Sequence, residues 1–183
     1  MITVILANGF EEIEALTPVD ILRRAGLDVK TVSIGNEKTV IGSHGIPVIA
    51  DMTADELSDI CPELLILPGG MPGAKNIDES HYTDSFIERT LSRGGRIAAI
   101  CAAPMILGHR GLLKGKNAVC YPGFENELTG AQISDSSVIT DGSFTTAKGM
   151  GAALEFSKEL VKLMLGEEKA REISESIMER KQL

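Results

Sequence analysis

Ile97-Ala98-Ala99-Ile100-Cys101-Ala102-Ala103-Pro104 is the stretch from which the fold class can be read. Ile97–Ile100 is apolar without polar alternation, the pattern of a strand buried on both faces, as in parallel sheets. Ala102–Leu107 reads as a helix with Pro104 in its first turn, where the missing N–H costs little. Cys101 falls between the two. A tight strand-to-helix turn needs small flanks because the residue at its tip has strained dihedrals. Ala98, Ala99, Ala102 and Ala103 supply them.

The same alternation extends in both directions. Met1–Ala7, Val29–Ile34 and Leu64–Leu67 read as further buried strands, and Ala118–Cys120 as another. Glu11 to Ala25 reads as a helix closed by Gly26 and bent by Pro18. Thr83–Ser92 is helical up to Gly94-Gly95. Thr39–Ile41 and Ile46–Ala50 form a small hairpin around Ser43-His44-Gly45, and Val138–Thr140 with Phe144–Thr146 another around Asp141-Gly142. Ala152–Leu165 and Glu168–Met178 read as amphipathic helices. Alternating strands and helices predict an α/β fold with a mostly parallel sheet and helices on both faces. No repeat or linker interrupts it, so residues 1–183 are expected to form one domain. In such sheets ligands bind beyond the carboxyl ends of the strands. That directs attention to Asn8–Glu14, Pro68–Gly73 and Cys101–Pro104.

Composition narrows the function classes. The 183 residues are 43% hydrophobic and 24% charged, which excludes a disordered chain. Eighteen basic against 26 acidic residues give a net charge of −8, so general nucleic-acid binding is disfavoured. Cys61, Cys101 and Cys120 form no CxxC and no even framework, as fits a reducing compartment. Met1–Ala7 lacks the basic flank of a signal peptide. The longest uncharged apolar stretch, Ile97 to Gly108, is shorter than the ~20 residues that span a bilayer. A cytoplasmic location without membrane attachment is expected.

Cys101 is the sharpest chemical signal. First-turn amides and the helix dipole stabilise a thiolate, although the pattern alone fits a buried, inert cysteine equally well. Gly69-Gly70 ends a strand beside that turn. Glycines let backbone N–H groups approach a developing oxyanion, or simply make a turn after Pro68. Of Glu11, Glu12 and Glu14, only one is expected to turn inward. A buried acid kept protonated there could donate to a thiolate. His44, His81 and His109 lie away from Cys101 in sequence and read as surface or capping residues, and no metal-ligand spacing occurs. Gly149-Met150-Gly151 opens a helix but lacks the third glycine of a dinucleotide fingerprint. Met150 and Met164 read as core filler.

Taken together, Gly9-Phe10-Glu11-Glu12-Ile13-Glu14, Pro18-Val19-Asp20, Arg23-Arg24-Ala25-Gly26, Leu67-Pro68-Gly69-Gly70 and Ala98-Ala99-Ile100-Cys101-Ala102-Ala103-Pro104 resemble the ThiJ/PfpI superfamily. The likeness is to its ThiJ-like branch, which includes the parkinsonism-associated deglycase. It implies a flavodoxin-like sandwich, commonly a homodimer. It implies that Cys101 is the elbow nucleophile and Glu14 its partner acid. Gly69 and Gly70 would form the oxyanion pocket with Ala102, the Gly70 and Ala102 N–H groups being its donors, and Tyr121 would line it. Neither metal nor cofactor is implied.

Two departures from the family pattern stand out. Tyr121 occupies a segment, Val119-Cys120-Tyr121-Pro122, where many members carry a histidine. Ala102 replaces the histidine that follows the nucleophile in the protease-like branch, so peptidase chemistry lacks its base. No histidine follows His109, which removes the amidotransferase triad. The resemblance implies a cofactor-free glyoxalase or deglycase acting on methylglyoxal or its adducts, or a redox-responsive stress protein or chaperone in which Cys101 is oxidised to sulfinate. By the same analogy, Arg24 and His44 would approach the pocket from a dimer partner.

Overall fold

The computed structural model describes residues 1–57 and 61–178. At its centre is β1 (Ile2–Leu6), every residue of which is buried. Successive strand side chains point to opposite faces. Ile2, Val4 and Leu6 enter one core layer, and Ile5 enters the other. An unalternating apolar run is therefore what a strand covered on both sides requires.

From β1 the chain passes through helix α1 (Glu12–Arg24) to β2 (Val29–Ser33). It then makes an antiparallel hairpin, β3 (Thr39–Ile41) and β4 (Pro47–Ile49), and a short outer strand, β5 (Met52–Thr53). It returns on the other side of β1 as β6 (Leu64–Leu67), then α2 (Gly73–Asp78), α3 (His81–Ser92), β7 (Arg96–Ile100) and α4 (Pro104–His109). Two short strands, β8 (Asn117–Ala118) and β9 (Gln132–Ile133), pair with each other. The last hairpin, β10 (Val138–Asp141) and β11 (Phe144–Ala147), precedes α5 (Ala153–Leu165) and α6 (Glu167–Ser176).

The main sheet has the order β10-β11-β7-β6-β1-β2-β5. Its pairs are parallel except β10–β11. Helices α1, α5 and α6 cover one face through Ala15, Val19, Leu22, Phe156 and Leu160. Helices α2, α3 and α4 cover the other through Ala74, Ile77, Phe86 and Ile106. The α/β class and the mostly parallel sheet match the expectation. Because β1 has β2 on one side and β6 on the other, the chain reverses direction between β1 and β6. Their carboxyl ends form the topological switch point, where open α/β sheets bind ligands.

Two local expectations need correction, and α1 is continuous where its proline sits. Ala118–Cys120 does not join the main sheet, since β8 stops at Ala118 and pairs with β9. The six-residue helix α2 had no sequence signal, as Gly73 sits inside it. Helix α1 runs unbroken through the buried Pro18. Pro18 has no N–H to donate to the carbonyl of Glu14, a bond that packing against α5 and the sheet makes dispensable. Among the described residues, no helix is long and apolar enough to cross a membrane.

Candidate active site

Cys101 closes β7 at the carboxyl edge of the sheet with φ 65°. A non-glycine residue in this left-handed region is strained by about 1–3 kcal/mol and persists only where its surroundings dictate it. Two backbone hydrogen bonds do so here. The Cys101 N–H donates to the Ala147 carbonyl at 2.9 Å, and the Cys101 carbonyl accepts from the Tyr121 N–H at 2.8 Å. Ala98, Ala99, Ala102 and Ala103 are all buried, so the small flanks read from the sequence are needed for packing. Cys101 itself stays half-buried.

Glu14 lies in the first turn of α1 and is 1% exposed. Its Oε2 accepts the Gly69 N–H at 3.0 Å, and its carboxyl also meets the Cys101 thiol and the Met150 N–H. Gly69 is obligatory, because a Cβ there would lie 2.5 Å from Glu14 Oε2 and 2.6 Å from the Cys101 Cβ. Its N–H therefore serves the acid rather than the sulfur. Gly70 adopts φ 84°, open to glycine at little cost. The N–H groups of Gly70 and Ala102 are the two that reach the sulfur.

Burial pushes the Glu14 carboxyl up to about 7, against its hydrogen bonds from Cys101, Gly69 and Met150, and the charge of Glu11 adds to the rise. Burial likewise pushes the Cys101 thiol up to about 12, followed by the charge of Glu14 and its hydrogen bond. The amides of Gly70 and Ala102 pull the other way without prevailing. A thiolate secured by amides and the helix dipole alone is thus corrected. Helix α4 has only six residues, and desolvation and the adjacent carboxylate outweigh it. The two groups titrate as a unit that carries one negative charge above about pH 7. When the proton sits on Glu14, the acid donates to sulfur and the amides favour the thiolate.

Tyr121 is 51% exposed. Its ring lies against Gly149, where a Cβ would stand 3.3 Å from Tyr121 Cδ2 and 4.0 Å from Glu14 Oε1. The Tyr121 ring and the Glu14 carboxyl thus flank Gly149 together. Cys120, beside it in sequence, packs in the opposite core layer from Cys101. Burial, with the charge of Glu125 second, raises its thiol to about 11.

Both Glu12 and Glu14 are buried, correcting the expectation that only one acid turns inward. They face different partners. Glu12 Oε1 accepts the His44 N–H at 2.9 Å, and its Oε2 lies 3.0 Å from His44 Nδ1. Ser43 Oγ bridges Glu11 Oε2 at 3.0 Å and Glu12 Oε2 at 3.2 Å. Burial opposes the Glu12 charge, yet these hydrogen bonds hold the carboxyl at about 2. Glu11, Glu12 and His44 are also the one group among the described residues whose donor atoms converge as metal ligands could. Sequence spacing could not reveal it, because His44 arrives on the hairpin. Arg24 pairs with Asp20 at 2.6 Å, and His109 bridges Asp78 at 2.6 Å and Glu127 at 2.8 Å.

Sequence reasoning missed Met150. It is 54% exposed rather than core, and its backbone N–H favours the charged form of Glu14. Its sequence signal is the Gly149-Met150-Gly151 turn, which is incomplete as a nucleotide fingerprint.

A strained cysteine elbow stands beside the switch point of a doubly wound sheet, where such folds hold ligands, and the architecture assigns this chain to the cysteine-elbow α/β proteins. The chain belongs to the DJ-1/PfpI family, whose model matches residues 1–163. It is 39% identical over 171 residues to protein DJ-1 homolog B of Arabidopsis thaliana, covering 92% of this chain and 39% of that protein. The chain spans less than half the length of the Arabidopsis relatives it matches. A deglycase from Pyrococcus horikoshii is 30% identical over 161 residues, covering 86% of this chain and 95% of that one. The solved structure of Toxoplasma gondii DJ-1, oxidized, superposes with a TM-score of 0.93 at 32% identity, covering 97% of each chain.

Proposed function

We propose that this protein is a cofactor-free glyoxalase or deglycase acting on methylglyoxal or its adducts through Cys101 and Glu14. The observation that carries the reading is the contact between a strained, half-buried thiol and a buried acid titrating near neutrality. A general acid–base group works best with a pKa near ambient pH. The thiolate form of the pair attacks the aldehyde carbon, forming the C–S bond as the carbonyl opens. The oxygen takes the Glu14 proton, giving a hemithioacetal. The Glu14 carboxylate then removes the proton from that carbon and returns it to the adjacent one, while the hydroxyl proton of the first carbon passes to the former ketone oxygen. The product is a 2-hydroxy thioester. Water adds to the thioester carbonyl, the C–S bond breaks, and lactate leaves with the thiolate restored. The oxidation of one carbon balances the reduction of its neighbour, so no external oxidant enters. The N–H groups of Gly70 and Ala102 support the developing oxyanion, and loss of one such donor typically costs about 100-fold or more. The test is lactate formation from methylglyoxal by wild type, Cys101→Ser and Glu14→Gln. Equal trace rates in all three refute the reading.

A second reading is favoured by the same donors. Gly70 and Ala102 amides with a protonated Glu14 suit a Cys101 sulfinate, as in a redox-responsive stress protein or chaperone. Intact mass after mild peroxide separates the two. A gain of two oxygens on Cys101 without aldehyde turnover supports the sensor, and earlier oxidation of Cys61 or Cys120 refutes it.

We also propose a homodimer, supported by exposed Ile13, Ile41, Ile46 and Ile49 on α1 and the β3–β4 hairpin. His44 is held by its own chain's Glu12, so its role there is to shape the hairpin. Sedimentation of wild type and Ile49→Lys tests this: a monomeric wild type refutes the dimer, and a dimer unchanged by Ile49→Lys refutes this surface. The free cysteines support a cytoplasmic setting.

A further inference from the structure

Three residues whose backbones adjoin the polar Cys101–Glu14 pair carry large, exposed apolar side chains: Tyr121 at 51%, Met71 at 49% and Met150 at 54%. Each is tied to the pair through backbone. Met71 follows Gly70, whose backbone N–H favours the charged form of the Cys101 sulfur. The Met150 backbone N–H lies close enough to Glu14 to favour its charged form. The Tyr121 N–H donates to the Cys101 carbonyl at 2.8 Å. The aromatic ring is seated by the missing side chain of Gly149, 3.3 Å from where a Cβ would be. Leaving three such groups in water forfeits burial energy, and clustered exposed apolar groups mark contact sites. Thioethers adapt to varied apolar shapes and pack well against rings.

We infer that Tyr121, Met71 and Met150 form an apolar collar that favours, at Cys101, electrophiles bearing an aromatic or branched apolar group within a few bonds of the reacting carbon. For turnover this deepens the glyoxalase reading, on which it rests there: aromatic 2-oxoaldehydes become better substrates than methylglyoxal. The same collar acts on any reagent that reaches the sulfur, so it can be measured without turnover.

Two measurements run together on wild type, Tyr121→Ala and Met150→Ala. The first is kcat/KM for phenylglyoxal and for methylglyoxal. The second is the rate of Cys101 alkylation by N-benzyl iodoacetamide and by iodoacetamide, followed by intact mass. There the sulfur displaces iodide and bonds to the methylene carbon. The ratio of the two alkylation rates is divided by the same ratio for glutathione. Tyr121→Ala keeps the backbone N–H on Cys101, so the pair itself is retained. The expected corrected ratio is about tenfold in wild type, the scale at which a hydrophobic pocket discriminates. It falls toward one in Tyr121→Ala and partly in Met150→Ala, and the aldehyde preference falls with it. A wild-type ratio near one, or one unchanged by Tyr121→Ala, overturns the collar. No turnover of either aldehyde, with the benzyl preference intact, overturns the enzymatic reading and leaves the collar standing.

Discussion

Glu14 Oε2 accepts the backbone N–H of Gly69 at 3.0 Å, so the loop after β6 and the first turn of α1 are joined through the acid that contacts Cys101. The two elements are far apart in sequence and meet at the reversal of the sheet. Anything that disturbs this bond disturbs the thiol–acid pair, and the first prediction concerns the bond itself.

Gly69→Ala places a methyl group 2.5 Å from Glu14 Oε2 and 2.9 Å from the Ile100 carbonyl. Neither side can give way freely in a close-packed interior. Overpacking of this kind costs about 1–3 kcal/mol or more. Urea unfolding should show that loss, and Cys101 alkylation should slow. Wild-type stability and reactivity together would contradict the contact.

Glu14 titrates near 7 in the folded chain against an ordinary 4.5. Its folded form holds the proton more tightly than the unfolded chain, so stability is lost as pH rises from about 4.5 through 7. The shift corresponds to about 3 kcal/mol. Glu14→Gln cannot ionise. The stability of Glu14→Gln relative to wild type should therefore climb by up to that amount between pH 4.5 and pH 8, measured by denaturant midpoints. A constant difference would show that Glu14 does not titrate in this range.

The alkylation profile of Cys101 should have two steps. The first follows proton loss from the pair near 7 and the second follows the thiol near 12, where the Glu14 charge opposes it. Glu14→Gln removes that charge, so the upper step should move to lower pH. Iodoacetamide rates across the pH range check this, and superimposable profiles would dissociate the two residues.

His44 is raised above its ordinary 6.5 by its hydrogen bond to Glu12 and the charges of Glu11 and Glu12. Its contribution is complete below 6.5 and lost as pH rises through its folded value. Glu12, held at about 2, contributes fully above 4.5 and loses that contribution as pH falls toward 2. The interaction is therefore strongest between about 4.5 and 6.5. His44→Ala should lower the melting temperature more at pH 5.5 than at pH 9. An equal effect at both would assign His44 a purely steric role.

Local patterns were enough to expose the alternating layers, because strands covered on both faces leave uninterrupted apolar runs such as Ile2–Leu6 and Leu64–Leu67. They also marked the elbow at Cys101, since a strained turn demands alanine flanks. Where a weak local signal met long-range packing, they failed. Helix α2 begins at a glycine, and Ala118–Cys120 resembles a core strand yet leaves the main sheet.

The chain's residue order alone marked the groups of the candidate site: one thiol at an elbow, three acids after the first strand, paired glycines after another. It could not settle their ionisation or company, because these depend on burial and on neighbours brought from remote segments. Glu14 rises and Glu12 falls although they sit two positions apart. Folding turned one toward a buried thiol and the other toward a hairpin histidine, and that difference of surroundings exists only in three dimensions.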